Sequence, residues 1–250
     1  MKSLSRSRIR KLKRQGIIGE EEIVQQLLRK EKTGLSLKQI RPSTDSQYKA
    51  FNSYRAGQNL LLHGLPGTGK TFISLYLALD SVLNDREYEK VYVIRSVVPT
   101  RDMGFLPGNQ KDKSKVYELP YYNICNELFG RGDAYDIMKN KGSIEFMTTS
   151  FVRGITLNDC IVVIDEVNNM TFHELDSLIT RMGDHSRLIM CGDFRQSDLK
   201  YKDERQGLID FMSILERLES FEHVEFHEDD IVRSGLVREY IINKSKMGFV

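Results

Sequence analysis

The chain is expected to fold as an α/β domain, a mostly parallel sheet with helices on both faces, preceded by a small helical N-terminal extension. Three observations predict this. From about residue 59 onward, short apolar runs alternate with helical patterns, as strand–helix–strand crossovers do. The run Cys160–Ile164 is apolar at every position, the pattern of a strand buried on both faces. Between an apolar strand pattern and an apolar helix pattern stands G-x-x-x-x-G-K-T, Gly64–Thr71, whose glycines let successive backbone N–H groups face one anion.

In chain order, residues 1–40 form the extension. Its opening, "KSLSRSRIRKLKRQG", is too basic and too poor in large apolar residues to pack alone, and reads as a mobile arm or a cationic helix. "GEEEIVQQLLRKEK" puts acids first, basics last, and Ile23, Val24, Leu27 and Leu28 on one face, the order a helix dipole favours. "TGLSLKQIRPST" connects to the main domain at 41–250. There Thr44 and Gln47 have capping-box spacing, which starts a helix from Asp45 to about Ala56. Strands are expected over Asn59–Leu62, Val91–Arg95, Ile144–Met147, Cys160–Ile164, Arg187–Cys191 and Val224–Phe226. Further helices are expected over Lys70–Leu83, Tyr117–Phe129, Phe172–Arg181, Leu208–Arg217 and Leu236–Lys246. Thr171 and Glu174 repeat the capping-box spacing at the start of the third of these. The polar segment Thr100–Lys115 exceeds the usual connection length, and loops that long are commonly functional or disordered.

At 250 residues the chain suits one large domain with a small appendage, and a 40% hydrophobic content is enough for a proper core. No stretch approaches the ~18 consecutive apolar residues that crossing a bilayer requires, so no membrane association is expected. No apolar segment or cleavage site follows the basic start, so no secretory signal is expected either. Cys125, Cys160 and Cys191 are far apart and in no Cys-x-x-Cys arrangement, which fits buried or incidental thiols in a reducing, cytoplasmic setting rather than a zinc site. The net charge of +2 conceals an asymmetry: residues 1–50 carry 13 Lys and Arg against 5 Asp and Glu. Such a segment either meets a phosphate-rich partner or is a solvated terminus, and its charge alone leaves both open.

The chemistry-bearing residues lie where apolar runs stop. In the loop Gly64, Leu65, Pro66, Gly67, Thr68, Gly69, Lys70 and Thr71, the glycines supply the turn and the following helix adds its positive dipole end. Lys70 is expected to reach the β- and γ-phosphates of a nucleotide, and the Thr71 hydroxyl to ligate Mg²⁺. "CIVVIDEVNN" ends a buried strand with Asp165 and Glu166. Ligand chemistry collects beyond the carboxyl ends of parallel strands, where Asp165 would hold the metal opposite Thr71. Successive side chains diverge, so Glu166 points elsewhere, toward a water that it orients and deprotonates. Roughly 95 residues separate Lys70 from Asp165, with the strand Val91–Arg95 between them. An added strand there, with a glutamate after the aspartate, is the arrangement of hydrolytic phosphate-loop motors. In "LIMCGDFRQ", Gly192 permits a sharp exit from another buried strand, Asp193 anchors the loop, and Gln196 offers a neutral amide that senses the γ-phosphate.

Together, G-L-P-G-T-G-K-T, V-V-I-D-E and G-D-F-R-Q in this order resemble superfamily 1 helicase motor domains and, more closely, the PhoH-like ATPase family of phosphate-starvation-inducible type. The resemblance extends to "VIRSVVP" (Val93–Pro99), "GFLPG" (Gly104–Gly108), "SFVRGIT" (Ser150–Thr156), "DEVNN" (Asp165–Asn169) and "DDIVRSGLV" (Asp229–Val237), spanning roughly Ile40 to Tyr240. It implies a RecA-like P-loop NTPase core, ATP binding, and hydrolysis linked to RNA or DNA. Gln47 resembles the glutamine that reads adenine in such motors, and Arg233 an arginine that reaches the γ-phosphate. Arg95 and Arg153 fall in motifs that line the nucleic-acid side or a subunit boundary. Two positions depart from the family pattern: Ile155 stands where a second arginine is usual, and Asn168 where glutamine is usual.

Only 54 residues follow Gln196, too few for a second RecA-like lobe of about 100–150 residues. A translocating motor nevertheless closes ATP between two surfaces. The second surface is therefore expected from a neighbouring copy, with Arg233 or Arg95 completing the site in a homo-oligomer such as a hexameric ring. The basic first 15 residues and Lys111, Lys113 and Lys115 point to RNA or single-stranded DNA as partner. Tyr121 and Tyr122 read equally as packing residues on a helix or as base-stacking platforms. Two other functions stay open, a kinase of the phosphate-loop class, against which Glu166 argues, and an ATP-gated nucleic-acid clamp with negligible hydrolysis.

Overall fold

The computed structural model describes residues 34–85, 87–96, 110–152, 154–194 and 202–248, with side chains described from residue 115 in the helix that begins at 110 and from residue 203 in the helix that begins at 202. The helix expected within residues 20–33, Arg153 and Gln196 lie outside these residues, as do the side chains of Lys111 and Lys113.

Six strands form one sheet: β1 (Asn59–Gly64), β2 (Lys90–Arg95), β3 (Ile144–Thr148), β4 (Cys160–Asp165), β5 (Arg187–Gly192) and β6 (Phe221–Phe226). Their order is β3-β2-β4-β5-β1-β6, and every neighbouring pair is parallel. The helices are α1 (Asp45–Arg55), α2 (Lys70–Leu83), α3 (Gln110–Phe129), α4 (Ala134–Asn140), α5 (Phe172–Ile179), α6 (Lys202–Leu215) and α7 (Gly235–Lys246). This is the RecA-like P-loop NTPase architecture that the motifs predict. The strand between the loop strand and the acid strand is β5, however, and Val91–Arg95 lies on the far side of β4. A strand's place in the sheet is set by the faces its crossover helix must cover, and chain order alone does not report it.

The continuous apolar runs divide between two cores, because successive strand side chains point to opposite faces. In β4, Ile161 and Val163 enter a core shared with α1, α2, α3 and α4, whereas Cys160, Val162 and Ile164 enter one shared with α5 and α6. Leu60 and Leu62 of β1 face the first core and Leu61 the second, so the sheet is covered on both sides. Leu35, Leu37 and Ile40 pack against the first core, and the Lys38 backbone N–H donates to the Leu128 carbonyl at 3.0 Å. The three cysteines are buried free thiols. Among the described residues no helix is long and apolar enough to cross a membrane.

Three helices differ from expectation. α6 begins at Lys202 rather than Leu208, because its first turn, with Asp203 and Glu204, suits a helix start by charge and not by apolar periodicity. α3 starts at Gln110, so the last residues of the polar segment Thr100–Lys115 are helical; its first turns lack apolar periodicity, and nothing in them breaks a helix. α4 escapes the sequence pattern because it is 7 residues long, burying only Ala134, Tyr135 and Met138. Both expected caps form: the Thr44 side chain accepts from the Gln47 N–H, and Thr171 and Glu174 make a complete capping box. Glu174 also accepts from Thr149 Oγ1 at 2.7 Å and Ser96 Oγ at 3.3 Å, tying the segments after β2 and β3 to the start of α5.

At the opposite end of the sheet, Arg187 opens β5 with its guanidinium 3.7 Å from the centre of the Tyr54 ring. Its Nη2 donates to the Tyr54 and Gln58 carbonyls at 2.6 Å each. Arg187→Met should keep the aliphatic contact and strand both acceptors. A loss of about 2 kcal/mol is expected, since hydrogen bonds from charged groups contribute roughly 1.5–3 kcal/mol. Urea unfolding would register it as a lower midpoint at unchanged slope.

Candidate functional site

Because all the strands run the same way, their carboxyl ends meet at one edge, where the central strands β1, β5 and β4 deliver Gly64, Gly192 and Asp165 side by side. The loop after β1 turns back through Gly64 (φ +114°), Gly67 (φ +74°) and Gly69 (φ +84°), a left-handed path that side-chain-bearing residues resist. Gly69 caps α2 without a side-chain hydrogen bond, so the first N–H groups of α2 open toward the loop. Buried Thr68 fixes the inner face by donating from Oγ1 to the Leu65 carbonyl at 2.9 Å.

Lys70 folds back over this loop. Its Nζ donates to the Gly64 carbonyl (2.9 Å), the Leu65 carbonyl (2.7 Å) and Thr68 Oγ1 (3.3 Å). Burial holds its pKa below the ordinary lysine value, opposed chiefly by the negative field of Asp193. The ammonium thus sits in the loop's concavity on carbonyls that an incoming polyanion could replace. One residue on, Thr71 Oγ1 donates to Asp165 Oδ1 at 2.9 Å, which joins the loop to the end of β4. The other oxygen, Oδ2, accepts from the Tyr121 hydroxyl at 2.9 Å.

Glu166 leaves the strand in the left-handed region (φ +56°, ψ +44°) and lines the same cavity as Asp165. Its carboxylate lies 3.7 Å from Arg95 Nη2, and Arg95 ends the neighbouring strand β2. Burial, followed by the charge of Asp165, raises the Glu166 pKa, and Arg95 opposes the rise. At the end of β5 the role of Gly192 differs from expectation. Its φ is not positive; instead a Cβ there would lie 2.6 Å from Val167 Cγ2 and 2.8 Å from Asn168 Oδ1. Glycine is required for close approach of two strand ends, not for a sharp exit. Asn168, the shorter residue where the family has glutamine, is buried and accepts from the Asp193 N–H at 3.0 Å, fastening one strand end to the other.

These groups border a cavity of about 610 Å³ whose lining includes Gln47, Lys70, Thr71, Asp165, Glu166 and Arg233, together with Pro66, Gly67 and Gly69. Gly64, Leu65 and Thr68 form the inner turn of the loop and stand behind that lining. Gln47 Oε1 accepts from the Ser43 N–H and hydroxyl at 3.0 Å each, and Nε2 donates to the Thr68 carbonyl at 3.0 Å, so the amide latches α1 to the loop. Arg233 approaches from the segment before α7: Val232 N–H donates to the Gly67 carbonyl at 3.0 Å, and a Cβ on Gly67 would be 2.9 Å from Arg233 Cγ. Arg95 stands behind the acid pair, with its guanidinium 5.9 Å from the Tyr117 ring centre. Lys115 is exposed on α3. Ile155 packs against the second core, an apolar contact where the family pattern has a cation.

Tyr121 is the functional candidate that sequence reasoning missed. It is fully buried, which excludes base stacking, and its hydroxyl reaches the aspartate rather than being idle packing. Nothing in the sequence joins it to a carboxylate 44 positions away.

Residues 39–243 match the family model described as PhoH-like protein. A PhoH-like protein of Bacillus subtilis (strain 168) is 30% identical over 205 residues, which is 82% of this chain and 63% of that protein. One of Synechocystis sp. is 32% identical over 203 residues, 81% and 61% of the two chains, and the protein PhoH of Escherichia coli (strain K12) is 29% identical over 194 residues, 77% and 54%. The chain spans about three fifths of the length of the first two of these relatives. Among solved structures, the large terminase from a thermophilic bacteriophage aligns over 80% of this chain and 50% of that one, with TM-score 0.47 and 13% identity. The Pif1 helicase from Bacteroides, in complex with ADP-AlF3 and ssDNA, aligns over 75% and 43%, with TM-score 0.38 and 15% identity. With a family model covering its whole P-loop NTPase core, and relatives matching over four fifths of its length, the chain belongs to the PhoH-like family.

Proposed function

We propose that this chain is an Mg²⁺-dependent ATPase whose hydrolysis is coupled to RNA or single-stranded DNA. The observation that carries the reading is the 2.9 Å contact between Thr71 Oγ1 and Asp165 Oδ1, beside Lys70 on the wall of one cavity. Two hard oxygen donors at that spacing suit a magnesium ion that takes its remaining ligands from water and phosphate. An ion held by these two residues would neutralise charge on the phosphate oxygens of the nucleotide. Lys70 exchanges the Gly64 and Leu65 carbonyls for those oxygens, and the open N–H groups at the start of α2 receive the same anion. Glu166 orients the attacking water and takes its proton, Gln196 senses the γ-phosphate, and Gln47 discriminates adenine.

Glu166 also favours hydrolysis over the kinase reading, since it supplies a base for water where a kinase needs an acceptor pocket. Arg233 lines the cavity, and on the helix that follows it, α7, Leu236 and Tyr240 are 79% and 66% exposed, an apolar surface suited to cover by a second copy. In this reading a homo-oligomer, such as a hexameric ring, completes each site with an arginine in trans. Arg95, Arg153, Lys111, Lys113 and Lys115 meet the polynucleotide, in a cytoplasmic setting.

The test is ATP turnover with and without single-stranded RNA and DNA, across protein concentration and salt. Turnover per chain should rise with protein concentration, because an arginine finger contributes roughly 10³–10⁵ in rate. Stimulation by polynucleotide should fall steeply with salt as phosphate contacts are screened. Full-rate hydrolysis by a monomer, independent of concentration, would end the trans arrangement. Indifference to both polynucleotides would end the coupling.

A further inference from the structure

Asp165 is gripped on both oxygens, by the Thr71 hydroxyl on Oδ1 and the Tyr121 hydroxyl on Oδ2, each at 2.9 Å. The first grip belongs to the phosphate loop. The second comes from α3, a helix with no residue in that loop. The Tyr121 ring is fully buried against Phe146, with ring centres 5.7 Å apart, so its hydroxyl cannot turn to solvent. The sense of the bond is fixed by chemistry. A carboxylate oxygen can only accept, so the phenol directs its single proton to Asp165.

We propose that Tyr121 is a positioning residue for the metal-binding carboxylate: it locks the rotation of Asp165 so that Oδ1 stays beside Thr71, ready for the magnesium ion. The inference rests on the reading that Asp165 and Thr71 hold that ion. Partners that orient a metal-binding group typically change metal affinity by about 10- to 100-fold when removed. Tyr121→Phe keeps the ring, its packing and its burial, and removes only the hydroxyl.

The experiment is calorimetric titration of the full chain with ADP, in Mg²⁺ and in EDTA, which needs no turnover. The wild type should bind more tightly with Mg²⁺. In Tyr121→Phe that Mg²⁺-dependent gain should shrink about tenfold, with affinity in EDTA unchanged within about twofold. Tyr135→Phe is the control, because Tyr135 is equally buried and donates to Glu118 at 2.6 Å, away from the cavity. It should leave the gain intact. Asp165→Asn combined with Tyr121→Phe should behave as Asp165→Asn alone, because the tyrosine acts through the aspartate. An unchanged gain in Tyr121→Phe, or equal weakening in Mg²⁺ and in EDTA, overturns the positioning role while the metal site stands. A wild type whose ADP affinity ignores Mg²⁺ overturns the metal site, and the positioning role with it.

Discussion

Glu166→Gln is expected to lower ATP turnover by roughly 10²–10⁴-fold, the contribution typical of a positioned general base, while ATP still binds within a few-fold of wild type. The amide keeps the length, the left-handed backbone and most of the polar reach of the glutamate, and it cannot accept a proton from water. Binding rests on other residues: Lys70, the loop N–H groups, Thr71 and Asp165. The substitution also removes the charge opposite Arg95 at 3.7 Å, but the Glu166 side chain is 40% exposed, and such pairs contribute about 0–1 kcal/mol, so the fold should hardly respond. Steady-state turnover and equilibrium binding of a fluorescent ATP analogue, on one preparation, separate the readings. A motor binds and stalls; a clamp without hydrolysis shows no change because it has no rate to lose; a kinase loses only its acceptor-dependent rate.

The second large effect concerns the fold. Gly64→Ala should destabilise the chain by roughly 2–6 kcal/mol, combining overpacking and backbone strain of roughly 1–3 kcal/mol each. Gly64 ends β1 at φ +114°, and a Cβ there would lie 2.2 Å from the Phe226 carbonyl oxygen and 2.8 Å from the Phe226 nitrogen. Both are backbone atoms of the paired strand β6, in register with Gly64, so no side chain can swing aside to make room. The same Phe226 carbonyl accepts from the Leu65 N–H at 3.0 Å, so moving it also disturbs the start of the loop. Against a typical domain stability of about 5–15 kcal/mol, such a loss leaves little margin. Gly142→Ala is the control: φ is +69° and nothing lies within 4 Å of the added Cβ, so only the backbone penalty of about 1–2 kcal/mol applies. Denaturant midpoints for the pair separate the clash from the dihedral. A Gly64→Ala chain as stable as Gly142→Ala would remove the argument from close approach.

What could be read in the sequence was what is local. Cys160–Ile164 announces a central strand because burial on both faces leaves no polar position. Gly64–Thr71 announces its loop because the chemistry is in the backbone, and glycine spacing records backbone geometry. What could not be read depends on distance in the chain. That β5 lies between β1 and β4 is decided by how α5 and α6 cover the second face. Gly192 shows its reason only once Val167 and Asn168 stand against it. Tyr121 reaches Asp165 only because α3 packs at one rotation against the first core, and a tyrosine in a helix carries no mark of that angle. Gln47 is intermediate: capping-box spacing located its helix, but the latch onto Thr68 appears only in three dimensions.

The polarity of the sheet has a practical corollary. With every strand pointing the same way, the molecule has a working rim and a blank one. The turn at Lys141–Ser143, leading into the outermost strand, belongs to the blank rim and opens to free space at Gly142. A dye, an affinity tag or a surface tether grafted there would leave the cavity facing outward and unobstructed.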